Sequence, residues 1–425
     1  MEKRTRKILF FVFLIIFLLL APTVVFYFQG YRFDFKNKKI TQTGGLFLKA
    51  IPKQVEIYLD GRLVKKTDFL SGATIIESLL PKKYHIEVKK SGYFSWTKDL
   101  EIKEKEVTEV RHIVLFPENL DFETIVKGVK NFWFSPDGKK IILKEENGKN
   151  WALKVYDLER NVKSHLIYEN DVSQTGVELL NLEFSEDEDS KEIYLDLGLK
   201  EQEKVFSLRL DRVPAVLSER KIIPSSENII ASQVFDDDTY FLDKFGYLFK
   251  NQEKLSEKPF SVKQEIEYKI NIYSYENQVF IFLQEGKILY LFSSDSKSFE
   301  KFFEDVNYLK ISPEFEKLVY SSPYEIWVFF LNERKSTFLV RFSEKIQDIF
   351  WLNSDYLIFS VGDKIKISEI DNRDRINIID LVELKNPLKE SGLPAGKAEI
   401  FWNQVNKKLY IFSQENIYAS ERLLP

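Results

Sequence analysis

The chain has 425 residues, a formal net charge of −4, no cysteine and three histidines. The length calls for more than one domain, and the near balance of 62 basic and 66 acidic residues excludes the clearly basic surface a nucleic-acid-binding domain needs. Without cysteine there is no disulfide framework, thiolate metal ligand or thiol nucleophile, so stability has to come from packing.

Residues 1–7, MEKRTRK, form a short basic tail, and residues 8–28 are an apolar run without a charge. About 20 such residues cover the hydrocarbon core as a helix. The run is longer than the apolar core of a signal peptide and is followed by QGYRFDFKNKK, which has no small-x-small cleavage site. The expectation is an uncleaved anchor, kinked at Pro22, with Tyr27, Tyr31 and Phe33 as an interfacial aromatic collar. Lys3, Arg4, Arg6 and Lys7 place the tail in the cytoplasm and the bulk of the chain outside, a single-pass cell-membrane protein.

Residues 44–116 alternate apolar and polar positions in short runs, the pattern of half-buried strands. The runs are GLFLKAIP, VEIYLDG with Asp60-Gly61 as a hairpin turn, ATIIESLLP, YHIEVKKSGYFSWTKDLEI with a turn at Ser91-Gly92, and VTEVRHIVLF. On these residues alone the segment is a small β-sandwich or barrel-like domain. Gly45-Leu46 leading to Pro52, Val55-x-Ile57-Tyr58-Leu59-Asp60-Gly61, Leu79-Leu80-Pro81 before Tyr84 to Val88, then Gly92-Tyr93 and Trp96, give it the order of a PEGA domain, which it resembles. It departs from that family where Pro52-Lys53-Gln54-Val55 replaces Pro-Glu-Gly-Ala and where Lys82 stands in place of a glycine. The resemblance implies a surface-exposed binding or spacer module without catalytic residues.

From 120 to 425 one pattern recurs: a lead apolar or aromatic residue, a polar turn, an apolar strand, a second turn and another strand. The leads are Phe134, Phe184, Phe235, Tyr275, Ile311, Trp351 and Trp402. A spacing of roughly 36 to 51 residues brackets a four-stranded propeller blade, so a propeller of about seven blades is predicted, the copy at Asp236 being short. DFETIVKG at residues 121–128 precedes the first copy and is expected to supply the outer strand of the last blade. The whole is an all-β chain with one N-terminal transmembrane helix. Phe134-Ser135-Pro136-Asp137-Gly138-Lys139 resembles the hairpin of the WD40-like repeats in TolB-type propellers, with Ile311-Ser312-Pro313-Glu314 a weaker echo. Its chemistry is that of a turn, with Pro136 at the second position and Gly138 at its end.

No G-x-S-x-G elbow, Walker loop or H-E-x-x-H motif is present, and His85, His112 and His165 are scattered over two domains. Glu186-Asp187-Glu188-Asp189 and Asp236-Asp237-Asp238 lack EF-hand spacing and read as solvated turns rather than calcium sites. Trp133, Trp327, Trp351 and Trp402 sit at regular blade positions and read as core rather than a sugar groove. The expectation is therefore no catalytic residue, no cofactor and no metal ligand. The protein is expected to bind or scaffold an envelope protein or cell-wall glycan through a propeller face. The alternatives are an envelope-polymer hydrolase or lyase with carboxylates at the propeller mouth, and a TolB-like partner in a membrane complex.

Overall fold

The computed structural model describes residues 3–35, 37–148, 150–172, 176–185, 191–199, 202–211, 215–220, 228–384 and 399–424. It divides into two compact units, Met1–Asn119 with Asp371–Leu381, and Leu120–Ile370 with Val382–Pro425.

The first unit begins with helix α1, Lys3–Phe28, whose segment Thr5–Phe28 is long and apolar enough to cross a membrane and has no buried residue in its most apolar stretch. A hairpin that the sequence reading did not single out follows, β1 (Tyr31–Asp34) with β2 (Lys39–Gln42). The alternating segment then forms β3 (Gly44–Ile51), β4 (Glu56–Leu59), β5 (Arg62–Lys66), β6 (Ala73–Leu79), β7 (Lys82–Lys89), β8 (Trp96–Ile102) and β9 (Val107–Val114). They make a three-stranded sheet in the order β6-β3-β9, with β3 and β9 parallel, and a four-stranded sheet in the order β5-β4-β7-β8.

Side chains alternate across a strand, so one face of each sheet supplies the core. Leu46 and Leu48 of β3, Ile57 of β4, Ile86 and Val88 of β7, and Leu100 and Ile102 of β8 are all buried in one cluster. The Asp60-Gly61 turn has φ of 48° and 77°, the left-handed pair that a two-residue hairpin of the primed kind requires. Gly44 is needed for close approach: a Cβ there would lie 2.2 Å from the Lys103 carbonyl oxygen.

The second unit is a seven-bladed β-propeller. Six four-stranded sheets are continuous in sequence, over residues 131–168, 177–220, 229–254, 268–303, 308–341 and 346–383, the last strand of the sixth, Ile378–Glu383, beginning in the segment counted with the first unit. The seventh takes three strands from residues 399–422 and its outer strand from β10, Phe122–Lys127, which pairs antiparallel with Asn416–Arg422. The ring is thus closed by joining the two ends of the propeller's chain, as the sequence reading expected. The third blade is the short one, its last two strands being Leu248–Lys250 and Glu253–Lys254.

Packing at the closure mixes the first and last blades. Val126, Val129, Ile141, Leu143, Tyr410, Ile417 and Ala419 share one core, and the Phe134 and Phe401 rings stack at 3.7 Å. The Phe-Ser-Pro-Asp-Gly-Lys turn is part of this closure. Buried Ser135 accepts the Lys140 amide at 2.9 Å, and the Gly138 carbonyl accepts the Asn403 amide group at 2.6 Å. Gly138 has φ of 67°, and a Cβ there would lie 2.7 Å from Asn403 Oδ1. In the fifth blade buried Ser312 repeats the role of Ser135, accepting the Lys317 amide at 3.0 Å. The repeated serine is a turn device, as its position in the motif implies.

Candidate functional site

The first strand of each blade is the inner one. In the fifth, sixth and seventh blades these strands are Tyr308–Ile311, Ile346–Trp351 and Glu399–Asn403. They are tied laterally: Trp351 Nε1 donates to the Lys310 carbonyl at 3.0 Å, the Gln404 amide group donates to the Trp351 carbonyl, and the Ile400 amide donates to Asp348 Oδ2 at 3.1 Å. At the end of the propeller where these strands begin lies a cavity of about 500 Å³, lined by Tyr308, Gln347, Asp348, Glu399, Phe412, Ser413 and Gln414. Ser413 and Gln414 come from the last hairpin, whose turn residues Gln414 and Glu415 have positive φ.

The electrostatics of this cavity are those of two neighbouring carboxyls, Asp348 half-buried and Glu399 exposed. Burial pushes the Asp348 carboxyl above the ordinary range, against the Ile400 amide and the Lys310 charge, which favour its ionised form. Glu399, on the open side of the cavity, is raised by desolvation and by the neighbouring Asp348 charge. The Tyr308 hydroxyl is pushed up to about 12 by burial and by both carboxylates. Two strand positions along, Lys310 is pulled by burial down to about 8, with Asp348 opposing the shift. Its ammonium lies 3.5 Å from the centre of the Phe350 ring, a contact that also favours the charged form.

The arrangement offers two carboxyls, two side-chain amides, a phenol and a serine hydroxyl around one aromatic wall. It suits a ligand rich in hydroxyl or amine donors. Another buried carboxylate, Glu285, provides the contrast. Tyr268, Tyr290 and Lys263 hydrogen bond to it at 2.9, 3.2 and 2.9 Å. Burial raises it, those partners outweigh the burial, and its carboxyl ends below the ordinary range, a closed structural network.

Lys310 carries a stability test. A lysine lowered from 10.5 to about 8 binds fewer protons folded than unfolded between those values, so the penalty of its burial is full below pH 8 and fades as pH rises to about 10.5. Lys310→Met is expected to be more stable than the parent by about 2 kcal/mol at pH 7, after allowance for the lost ring contact. The gap should narrow at pH 10. Denaturant midpoints at the two pH values measure it, and a gap that widens with pH would contradict the assignment.

The residues weighed from sequence are not gathered here. His85 pairs with Asp99 at 2.6 Å in the first unit, and His165 stacks on Tyr168 in the first blade. Asp236 and Asp237 form the tight turn between the first strands of the third blade, with φ of 49° and 64°, and Asp238 pairs with Lys250 at 2.6 Å. Residues 186–189 lie outside the described residues. Among the described residues no group of histidine and carboxylate side chains is arranged to hold a metal ion. Trp351 and Trp402 are buried, and Trp133 and Trp327 are half-buried against blade cores.

No protein-family model matches the chain, and no curated protein matches it. Among solved structures, a chain of the crystal structure of the mitotic checkpoint complex is similar over 72% of this chain and 94% of that chain, with 9% sequence identity and a TM-score of 0.41. The propeller assignment rests on the strand pairing and not on this neighbour.

Proposed function

We propose that the protein is a membrane-anchored, extracytoplasmic binding protein that holds an envelope glycan at the mouth of its propeller. The observation that carries this reading is the cavity where three inner strands bring Tyr308, Gln347, Asp348 and Glu399 together. Carboxyls and amides beside an aromatic ring are the groups with which proteins hold sugars and amino sugars. The apolar helix supports the anchor, its basic flank supports a cytoplasmic N-terminus, and the PEGA-like strand order supports a module for the cell surface. The absence of a recognisable nucleophile motif favours binding over catalysis.

A second reading has its own support. Two carboxyls with raised affinity for protons in one cavity are the equipment of a glycoside hydrolase, one group giving a proton while the other acts as base or nucleophile. Full-length protein in detergent, titrated with soluble cell-wall fragments in a calorimeter, tests both. The binding reading expects saturable binding, weakened about tenfold or more when Asp348→Asn and Glu399→Gln are combined. Binding indifferent to the pair would sink it. Fragments that shorten with time in the presence of the parent, and not of Glu399→Gln, would establish the hydrolase instead.

A further inference from the structure

We infer that the β1–β2 hairpin is a wedge that seats its apolar face in the outer boundary of the lipid bilayer beside the anchor helix. The inference rests on the anchor reading proposed above.

The hairpin is inside out for a water-facing element. Phe33 and Ile40 are directly opposite in the strand register and so share a face; they are 47% and 67% exposed, and Phe35, which meets the Phe33 ring edge-on at 5.0 Å, is 84% exposed. The opposite face holds Asp34 and Thr41, both buried. Asp34 accepts the Asn37 amide and side chain at 3.1 and 2.7 Å, and the Thr41 hydroxyl donates to Glu104. A two-stranded hairpin in water gains its stability by covering its apolar face, and this one covers its polar face.

Its place in the chain says what covers the other side. Only Gln29 and Gly30 separate α1 from β1, and the junction is fixed. Tyr31 meets the Phe26 ring edge-on at 5.4 Å, and the Arg32 guanidinium lies 3.6 Å from the centre of the Tyr27 ring while donating to the Tyr27 carbonyl at 2.8 Å. The Gly30 carbonyl accepts both the amide and the hydroxyl of Thr43 at 2.9 Å. The start of the first strand is therefore packed against the last turn of the apolar helix, next to Tyr27 and Phe28, which are 57% and 83% exposed. Exposed Lys38, in the turn at the tip of the hairpin, suits a phosphate headgroup.

The chain has no cysteine, so one introduced cysteine carries the only label. Full-length protein is reconstituted in vesicles of equal parts phosphatidylcholine and phosphatidylglycerol, with a nitroxide at Phe35→Cys, Ile40→Cys, Leu18→Cys or Leu63→Cys in turn. Leu63 is an exposed position of β5 and Leu18 is in mid-helix. Labels at 35 and 40 should collide with oxygen several-fold more, relative to a water-soluble nickel chelate, than the label at 63. Equality with 63 while 18 reads as lipid overturns the wedge and leaves the anchor standing. A label at 18 open to the chelate overturns the anchor and the wedge with it. Labels at 35 and 40 shielded from both reagents and broadened by a neighbouring spin would assign the face to a second copy of the chain and overturn the lipid assignment.

Discussion

Replacing Val126 with aspartate is expected to be the most damaging single change in the propeller, costing about 4 kcal/mol or more. Val126 belongs to β10, the one strand of the seventh blade that comes from the start of the propeller's chain, and it is 5% exposed. Its side chain lies in the core shared by the first and seventh blades, with Ile141, Leu143, Tyr410 and Ile417. A carboxylate there would be buried among aliphatic groups with no cation to pair with, a class of change that sits at the top of the mutational range. Detaching β10 would also leave Asn416–Arg422 as an open sheet edge, so the variant should aggregate as well as melt early. Lys127→Cys with Asn416→Cys offers the opposite test, because the two positions face each other in the register and the parent has no other cysteine. Oxidised, that pair should raise the melting temperature by stapling the ring across nearly the whole propeller, and reductant should remove the gain. Circular dichroism melts and light scattering measure both. A Val126→Asp protein that melts like the parent would mean that the closure contributes little.

What the sequence made legible follows from how each feature is encoded. The helix, the strands of the small module and the seven copies are local or periodic, and each is written in contiguous residues. Even the closing strand was accessible, because a lone apolar run before the first copy and a last copy one strand short complete each other. The cavity was not seen, although a signal exists. Tyr308, Asp348 and Glu399 each stand three positions before a lead residue, Ile311, Trp351 and Trp402. The same position holds Asn131, Asn181, Ser232 and Ile272 in the other copies, so aligning the copies on their leads isolates the acids of the last two blades. Their convergence still depends on blade order in space, which no single copy contains. The β1–β2 hairpin was missed for a different reason: its aromatics were assigned to the end of the helix, and four-residue strands are too short for alternation to declare itself. Both acidic runs were weighed as possible ion sites, and the described one is a turn whose left-handed residues Asp236 and Asp237 are among the types that tolerate that backbone.

Lys98 is a charged residue that strand alternation puts on a core face, and Lys98→Ala is expected to cost the first unit about 3 kcal/mol. In β8 the inward positions are Trp96, Lys98, Leu100 and Ile102, so the pattern assigns a lysine to the core face, and its side chain is fully buried. The segment Asp371–Leu381, 273 positions away at its nearest contact, makes that tolerable. The Lys98 ammonium donates to the Asp371 carbonyl at 2.6 Å and stands 3.7 Å from its carboxylate. Beside it, the Asp99 amide donates to Asp374 at 2.9 Å, the Thr97 amide donates to Asn377 at 3.4 Å, and Arg373 donates to the Glu109 carbonyl at 2.8 Å. β8 is the last strand of its sheet, so these side chains satisfy amides that would otherwise form an open edge. Burial raises the Asp371 carboxyl, but Arg373 and Lys98 outweigh it and hold it below the ordinary range; the Asp99 amide holds Asp374 low as well. A carboxyl lowered on folding contributes stability that is complete above about pH 4 and lost as pH falls through its folded value, so the segment should loosen in acid. Truncating the lysine strands the Asp371 groups without their buried cation, the costly half of breaking such a pair, whereas Lys98→Met keeps the volume and should cost less. Hydrogen exchange at the Thr97 and Asp99 amides, read beside a denaturant melt, separates the outcomes: lost protection in Lys98→Ala at neutral pH, and in the parent only in acid, is the expected result. Unchanged protection would show that the segment holds its edge without the lysine.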